Sequence, residues 1–344
     1  MPVTINGSDG ITNASWTTGT RPSNPAAGQM GFNTETKTLE FYDAEADEWS
    51  SVRFNAPVSA TGGSVSDVTI QGIDYRIHEF TSTGTSTFEV VSGSGDVECL
   101  IVGGGGAGGF HDSDISTHAA GAGGAGGFVT SSTTVSPQSY SVTIGAGGVS
   151  RSSDLTAESG EDSSIFGIIA LGGGGGARRS TFSSLEKAGD GGSGGGESDD
   201  GDGRFGGQGL QPLSVSGGLG NDGAAFMREF GAGRGGGGGG GAGEKAAESK
   251  PPNGGDGVES SFTGNIVVYA GGGGGGGTDN TSSGGPTPAG SGGSGGGGNG
   301  GEEGNPGSNG TPNTGGGGGG AGAFGGGSGG DGGSGIVLIR YRIG

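Results

Sequence analysis

The chain has 344 residues, of which 98 are glycine and 12 are proline, and its formal net charge is −20. Glycine is present at roughly four times its usual share of about 7%, yet no strict Gly-X-Y period occurs, which excludes collagen. The acidic balance argues against nucleic acid as a partner, because cationic surfaces dominate that affinity. Hydrophobic residues make up only 27% of the chain, so their burial alone cannot offset the entropy of ordering it. We therefore expect a dense network of backbone hydrogen bonds and the association of several copies to supply the remaining stabilisation.

Residues 1–55 have an ordinary composition and predict a small β module. Two short alternating runs, at 28–33 and 39–43, flank a polar tetrapeptide and predict a β-hairpin. Residues 48–52 predict a third strand. Three short strands are marginal alone, so this module is expected to need neighbours, most simply other copies of itself. Residues 56–73 are predicted to be a connector.

From residue 74 onward the chain repeats one pattern, an apolar run that ends in polyglycine. Such a run could be a flexible linker, since glycine loses much backbone freedom on ordering. It could also be a polyglycine II helix, with three residues per turn, about 3.1 Å per residue and outward-pointing amides that bond to neighbouring helices. Linkers do not need apolar anchors, so we favour an ordered lattice of such helices. The apolar runs at 100–102, 168–171 and 266–270 precede glycines 103–106, 172–176 and 271–277, whereas glycines 235–241 and 315–320 lack the apolar lead-in.

Alternating runs at 75–80, 87–90, 97–102 and 140–144 predict strands, and the run at 335–343 is expected to pair with the early ones. Helical periodicity is essentially absent. The predicted fold class is therefore mainly β with polyglycine II helices. It consists of a small N-terminal β-hairpin module followed by a glycine-rich layered polyglycine-helix and β domain at 74–344, without substantial α-helix.

Motifs that carry chemistry are scarce. Cys99 is the only cysteine, so no intramolecular disulfide can form, and its apolar run predicts a small buried hydrophobe. Matches to G-x-G-x-x-G carry no weight at this glycine content, and no Gly-Lys-Ser or Gly-Lys-Thr phosphate loop occurs. No serine, histidine and acid set stands out. We expect neither an enzyme nor a cofactor.

Two segments could be considered for a metal ion. His111 and His118 flank Asp112 and Asp114 and could bind a metal or act as acid and base, but their spacing fits no known ligand motif. Residues 197–203 resemble a calcium loop without its terminal bidentate glutamate. Solvated loops are the simpler interpretation of both segments, and no metal site is predicted.

The beginning of the chain, Met-Pro-Val-Thr, has neither a basic nor an apolar leader, and no apolar stretch approaches 18 residues. We expect no signal peptide and no membrane insertion, with synthesis in a cytoplasm.

The order of these landmarks resembles the glycine-rich domain of bacteriophage tail fibres and fibre-tip adhesins. The resemblance covers roughly residues 74–344, and residues 28–49 are similar to short N-terminal modules of virion proteins. The matching landmarks are Phe-Thr-Ser-Thr-Gly at 80–84, Glu-Cys-Leu-Ile-Val followed by glycines at 98–109, Tyr-Ser-Val-Thr-Ile-Gly-Ala-Gly-Gly at 140–148, residues 160–167 and 170–176, and the closing run at 332–341.

The resemblance implies a homotrimeric virion protein on the tail or particle surface. Its N-terminal module would attach to other tail or capsid proteins, and its loops would recognise a host cell-surface glycan or outer-membrane protein. A purely structural fibre or capsid-decorating protein without receptor binding is the alternative, and a glycan depolymerase is a third hypothesis.

The predicted receptor contacts are aromatic and histidine side chains between the glycine runs, where functional contacts concentrate on loops held by a rigid scaffold. The aromatic candidates are each beside arginine or polar residues that can hydrogen-bond sugars. Most other apolar residues of these loops are expected to cap the lattice or to pack between subunits. The candidates are Phe182, Phe205, Phe226, Phe230, His111 and His118.

Overall fold

The structure is a computed structural model that describes residues 14–36, 38–52, 57–111, 118–151, 157–178, 187–198, 205–225, 235–279, 286–325 and 327–343. The chain divides into two compact units, Met1–Ala56 and Pro57–Gly344. The described residues form strands and extended threads with two short 3₁₀ turns and no α-helix, so the predicted mainly β class is confirmed. No helix among them is long and apolar enough to cross a membrane.

The first unit is a four-stranded sheet of order β1-β2-β3-β4. Its strands are β1 (Ala14–Trp16), β2 (Met30–Asn33), β3 (Thr38–Asp43) and β4 (Glu48–Val52). The predicted hairpin and third strand are present as β2, β3 and β4. No pattern in the sequence predicted the three-residue β1, which pairs parallel to β2. The Trp16 ring lies so close to Gly31 that an added Cβ would be 2.1 Å from it.

The second unit contains two five-stranded sheets and a separate hairpin. The first sheet has the order β10-β9-β16-β7-β6, the second has the order β13-β12-β11-β8-β5, and β14 pairs with β15. The strand bounds are β5 (Ser59–Thr61), β6 (Ser64–Ile70), β7 (Ile73–Phe80), β8 (Gly84–Ser92), β9 (Gly95–Val102), β10 (Phe128–Val135), β11 (Gln138–Ile144), β12 (Ser163–Ile165), β13 (Ile168–Ala170), β14 (Val258–Ser260), β15 (Val267–Tyr269) and β16 (Ile336–Arg342).

Of the predicted connector at 56–73, residues 57–73 instead belong to the second unit. Its residues form β5 and β6, which are edge strands of different sheets. Gly62 and Gly63 join these strands with φ of 110° and 65°, a backbone conformation that side chains rarely adopt. The two glycines therefore make a turn between sheets, where the sequence indicated a linker.

The main core lies between the two five-stranded sheets. Phe88 from the second sheet and Ile101 and Ile339 from the first are fully buried in it. Cys99 is buried in the same core, as predicted, and burial raises the pKa of its thiol to about 11. The closing strand β16 lies between β7 and β9, which confirms the expected pairing of the chain's end with early strands.

A second core lies on the other face of the first sheet. There Leu100, Phe128 and Leu338 pack with Phe262 and Tyr269 of the β14–β15 region. Strands β9 and β16 are consequently buried on both faces near their junction with the glycine runs. This double burial explains why their sequences are continuously apolar instead of alternating.

His78 connects strands inside the main core. Its imidazole is fully buried, Nδ1 donates to the Gly62 carbonyl at 2.7 Å, and Nε2 lies 3.2 Å from the Tyr341 hydroxyl. The Tyr341 hydroxyl in turn accepts from the Ala60 amide at 3.2 Å. Burial lowers the pKa of His78, so the folded protein favours the neutral ring.

This lowered pKa predicts acid sensitivity of the second unit. In the unfolded chain the imidazole has a pKa of about 6.5. Just below that pH it therefore binds a proton in the unfolded state but stays neutral in the folded state. The stabilising contribution is present above that pH and falls as the pH drops toward the folded pKa. Denaturant unfolding followed by far-UV circular dichroism should show stability declining below pH 6.5, and His78→Gln should flatten that part of the profile. An unchanged slope in the variant would contradict the assignment.

Candidate functional site: a polyglycine lattice with one open end

The glycine runs are ordered threads that bond to one another through their main chains. In the thread at 103–109, every third amide donates to the same neighbour: Gly103, Gly106 and Gly109 donate to the carbonyls of Gly127, Gly124 and Gly121 at 2.8–3.1 Å. The amides of Gly104 and Ala107 donate to carbonyls of the thread at 158–161. The amides of Gly105 and Gly108 donate to carbonyls of the thread at 330–333. Three residues per turn and outward-facing amides are the geometry of polyglycine II, so the flexible-linker alternative is wrong for these residues.

The carbonyls of the same thread complete its surroundings. They accept from threads at 173–176 and 318–321 and from Gly148. One thread therefore has six bonded neighbours, three through its donors and three through its acceptors. This arrangement satisfies the buried backbone groups without conventional strands.

Close packing explains why the threads are glycine. A Cβ at Gly105 would lie 2.1 Å from the Gly316 carbonyl oxygen, with backbone on both sides of the contact. Alanine occurs where the spacing allows it, at Ala119, Ala122 and Ala125, which fall three residues apart and are fully buried. With three residues per turn, the positions that face the backbone of a neighbouring thread at close range require glycine. Positions that recur at the same spacing but face a wider gap accept alanine.

Acidic and amide side chains terminate the lattice where neighbouring threads run out. The Asp256 carboxylate accepts from the amide and hydroxyl of Ser294 at 2.7 and 2.9 Å, and Asp331 accepts from the Ser150 amide at 2.7 Å. Sequence reasoning missed this role, which contributes to the acidic composition. Further acceptors of this kind are Glu161, Asp162, Asp190, Asp222, Asn253, Asn299 and Asn309.

Several threads begin or end at a strand of the two five-stranded sheets or of the β14–β15 hairpin, and they extend from there toward the far end of the lattice. The thread at 103–109 leaves β9 directly, and its neighbour at 121–127 returns directly to β10. The described residues that flank each remaining gap of the second unit lie at this far end, which we call the open end. In the sequence, these flanking residues border 112–117, 152–156, 179–186, 199–204, 226–234, 280–285 and 326.

Several polar side chains are buried at the open end. His111 and His118 are 0% and 7% exposed, so the solvated loop predicted for them is wrong at these two positions. Glu197 and Ser198 are also buried, and the Ser198 hydroxyl donates to the Arg178 carbonyl at 2.9 Å, which corrects the solvated acidic turn there. As receptor contacts, the two histidines stay predictions. No group of three or more metal-ligating side chains occurs among the described residues.

Phe205 is the aromatic candidate that the structure describes. It is 84% exposed and lies beside Lys187, Asp190 and Gln208 at a cavity of about 460 Å³. The Gln208 backbone amide donates to the Asp190 carboxylate at 2.6 Å, which fixes the backbone directly after Gly206 and Gly207. Phe182, Phe226 and Phe230 lie outside the described residues.

The fold and its lattice define a class of protein in which a small β-sandwich carries a body of hydrogen-bonded polyglycine threads. The chain belongs to the glycine-rich domain family, whose model matches residues 81–342. No curated protein sequence matches the chain.

Proposed function

We propose that the chain is the receptor-binding tip of a bacteriophage tail fibre. The observation that carries the proposal is the one-ended layout of the lattice. Hydrogen bonds between the threads fix the body, and the described residues at which the threads break off, such as His111, Arg178 and Ser198, lie at the open end. Recognition residues concentrate on connections positioned by a rigid scaffold, and the described residues of the open end belong to such a scaffold.

Phe205 supports the same proposal from the described side chains. An aromatic ring that is 84% exposed presents an apolar face, while Lys187, Asp190 and Gln208 around it offer both donors and acceptors. A host glycan or an outer-membrane protein would present the matching chemistry. The landmark series that resembles phage fibre adhesins lies almost entirely within the residues matched by the family model.

The remaining parts of the proposal follow from this role. The first unit would attach the chain to other virion proteins, and the chain would assemble as a homotrimer on the virion after synthesis in the host cytoplasm. A purely structural fibre or capsid-decorating protein would use the same lattice without a receptor, and the following experiment separates the two.

The test compares particles that carry the full chain with particles that carry Phe205→Ser and with particles that lack the protein. Adsorption to host cells should fall strongly without the protein and measurably with Phe205→Ser, and added purified chain should compete with intact particles. Val149→Ser is the matched control, because Val149 is also exposed in the second unit. Adsorption that is unchanged when the protein is absent would remove the receptor-binding proposal and favour the structural alternative.

A further inference from the structure

The turn between β12 and β13 holds a phenylalanine in an unfavourable backbone conformation. Ile165 pairs with Ile168, so the turn consists of Phe166 and Gly167 alone, and their φ values are 55° and 78°. Two-residue turns with positive φ at both positions favour Asn-Gly, and a bulky residue with positive φ is an outlier. The Phe166 ring is therefore held at this position against the preference of its own backbone.

The Phe166 ring packs against a second aromatic ring from β11. The ring centroids of Phe166 and Tyr140 are 5.0 Å apart at an interplanar angle of 79°, an edge-to-face geometry that aromatic pairs favour. The Tyr140 hydroxyl donates to the Ser136 carbonyl at 3.3 Å and accepts from the Ser136 amide at 3.1 Å. The pair contacts the main core through Phe88, yet both rings remain half-buried, so part of each faces solvent.

The solvent-facing part of this aromatic pair lines an open cavity of about 480 Å³ beside β11. Strand β12 pairs with β11 only at Thr143, so the preceding residues of β11 have no strand partner on that side among the described residues. The volume lies within the range of about 300–1,000 Å³ that is typical of small-molecule sites. The lining residues all fall within 133–141 and 166–167, and we call this space the hydroxyl cavity.

No residue that lines the hydroxyl cavity is charged, although the formal net charge of the chain is −20. Hydroxyl groups predominate in the lining. Those of Ser136, Ser139 and Ser141 belong to exposed residues, as does the side-chain amide of Gln138. A hydroxyl both donates and accepts, and a glutamine amide adds donors and an acceptor. The lining can therefore hydrogen-bond a ligand that itself carries many hydroxyls.

The same composition argues against other classes of small molecule. A cation would find no carboxylate in the lining, and an anion would find no basic side chain. The net negative charge of the chain further disfavours phosphate-bearing ligands. A purely aliphatic ligand would leave the hydroxyls that it covers without partners. A neutral pyranose sugar fits both parts of the cavity, because its C–H face packs on an aromatic ring while its hydroxyls reach the polar groups.

We propose that the hydroxyl cavity binds a neutral pyranose unit, with the aromatic pair against its C–H face and the exposed serines and Gln138 on its hydroxyls. The cavity is separate from the open end. Strand β10 begins directly after the thread at 121–127 and β11 ends directly before Gly145, so the turn that joins them lies at their ends away from the lattice. The inference therefore goes beyond the proposed function and does not depend on it.

NMR titration of the full chain with methyl β-D-glucopyranoside tests the site. Every ring substituent of this sugar is equatorial, so both of its faces present C–H groups to an aromatic ring. The amide shifts of residues 133–141 and 166–167 should change saturably. Phe166→Asn removes the ring but retains a favoured Asn-Gly turn, and it should raise the dissociation constant at least about tenfold. The absence of saturable shifts in the wild-type chain would overturn the proposal.

Further comparisons separate ligand contact from a purely structural role of the Phe166 ring. Phe166→Tyr retains an aromatic ring and should bind the sugar with nearly wild-type affinity. Val91→Ser, at an exposed position on β8, should leave the affinity unchanged. Sorbitol carries hydroxyls without a rigid C–H face and should give no saturable shifts. Equal dissociation constants for the wild-type and Phe166→Asn chains, or an equal response to sorbitol, would overturn the proposal. Neither result bears on adsorption through the open end, which is measured on particles.

Discussion

Gly105→Ala is expected to destabilise the second unit by at least about 4 kcal/mol, a loss diagnostic of a structural clash. The added Cβ would lie 2.1 Å from the carbonyl oxygen of Gly316. Both sides of this contact are main chain held by neighbouring threads, so neither can move without breaking lattice hydrogen bonds. A side-chain rearrangement cannot relieve the overlap.

The measurement is denaturant unfolding by circular dichroism, combined with hydrogen exchange of peptides that cover 103–109 and 315–320. Faster exchange should extend to the neighbouring threads, because one run bonds to six others. Gly95→Ala is the matched control, since a Cβ at Gly95 would meet only a Val58 methyl at 3.5 Å, and it should change stability by less than about 0.5 kcal/mol. Equal stabilities for the two variants would contradict the lattice.

The Gly105→Ala prediction depends on the ordered glycine threads, which are the part of the fold that the sequence predicted best. Apolar anchors before glycine runs predicted ordered threads, and the three-residue period of their hydrogen bonds confirms that interpretation. The sequence could not specify which thread lies beside which, because glycine runs are chemically alike. That choice follows from where the strands place the ends of each thread, and strand order across two sheets is a long-range property.

Local signals also misled where tertiary contacts decide. Residues 56–73 look like a linker because of Gly62 and Gly63, yet those glycines make a turn between strands of two sheets. Gln211 lies in a stretch without any motif, and its buried side chain hydrogen-bonds backbone groups about 40 residues earlier in the chain. The histidines at the open end appeared solvent-exposed for the same reason, since only the folded lattice buries them.

Glu40→Ala is expected to destabilise the first unit by about 3 kcal/mol. The Glu40 carboxylate is fully buried and accepts from Arg21 at 2.6 and 3.0 Å, from Trp16 at 2.8 Å and from Asn33 at 2.8 Å. Removing it leaves several donors without their acceptor at once. Both tryptophans of the chain, Trp16 and Trp49, lie in this unit, so tryptophan fluorescence reports its unfolding in the intact protein.

The same carboxylate gives the first unit its own acid response. Hydrogen bonds from Arg21, with smaller contributions from Trp16 and Asn33, lower the pKa of Glu40 from 4.5 to about 2. A lowered pKa contributes stability above the unfolded value that is lost as the pH falls through the folded one, so the fluorescence-detected stability should decline between pH 4.5 and 2. Glu40→Gln should remove this decline while Glu45→Gln, at an exposed position, retains it. Because His78 acts at higher pH and in the other unit, the two units should lose stability in separate pH ranges, and a single shared transition would contradict both assignments.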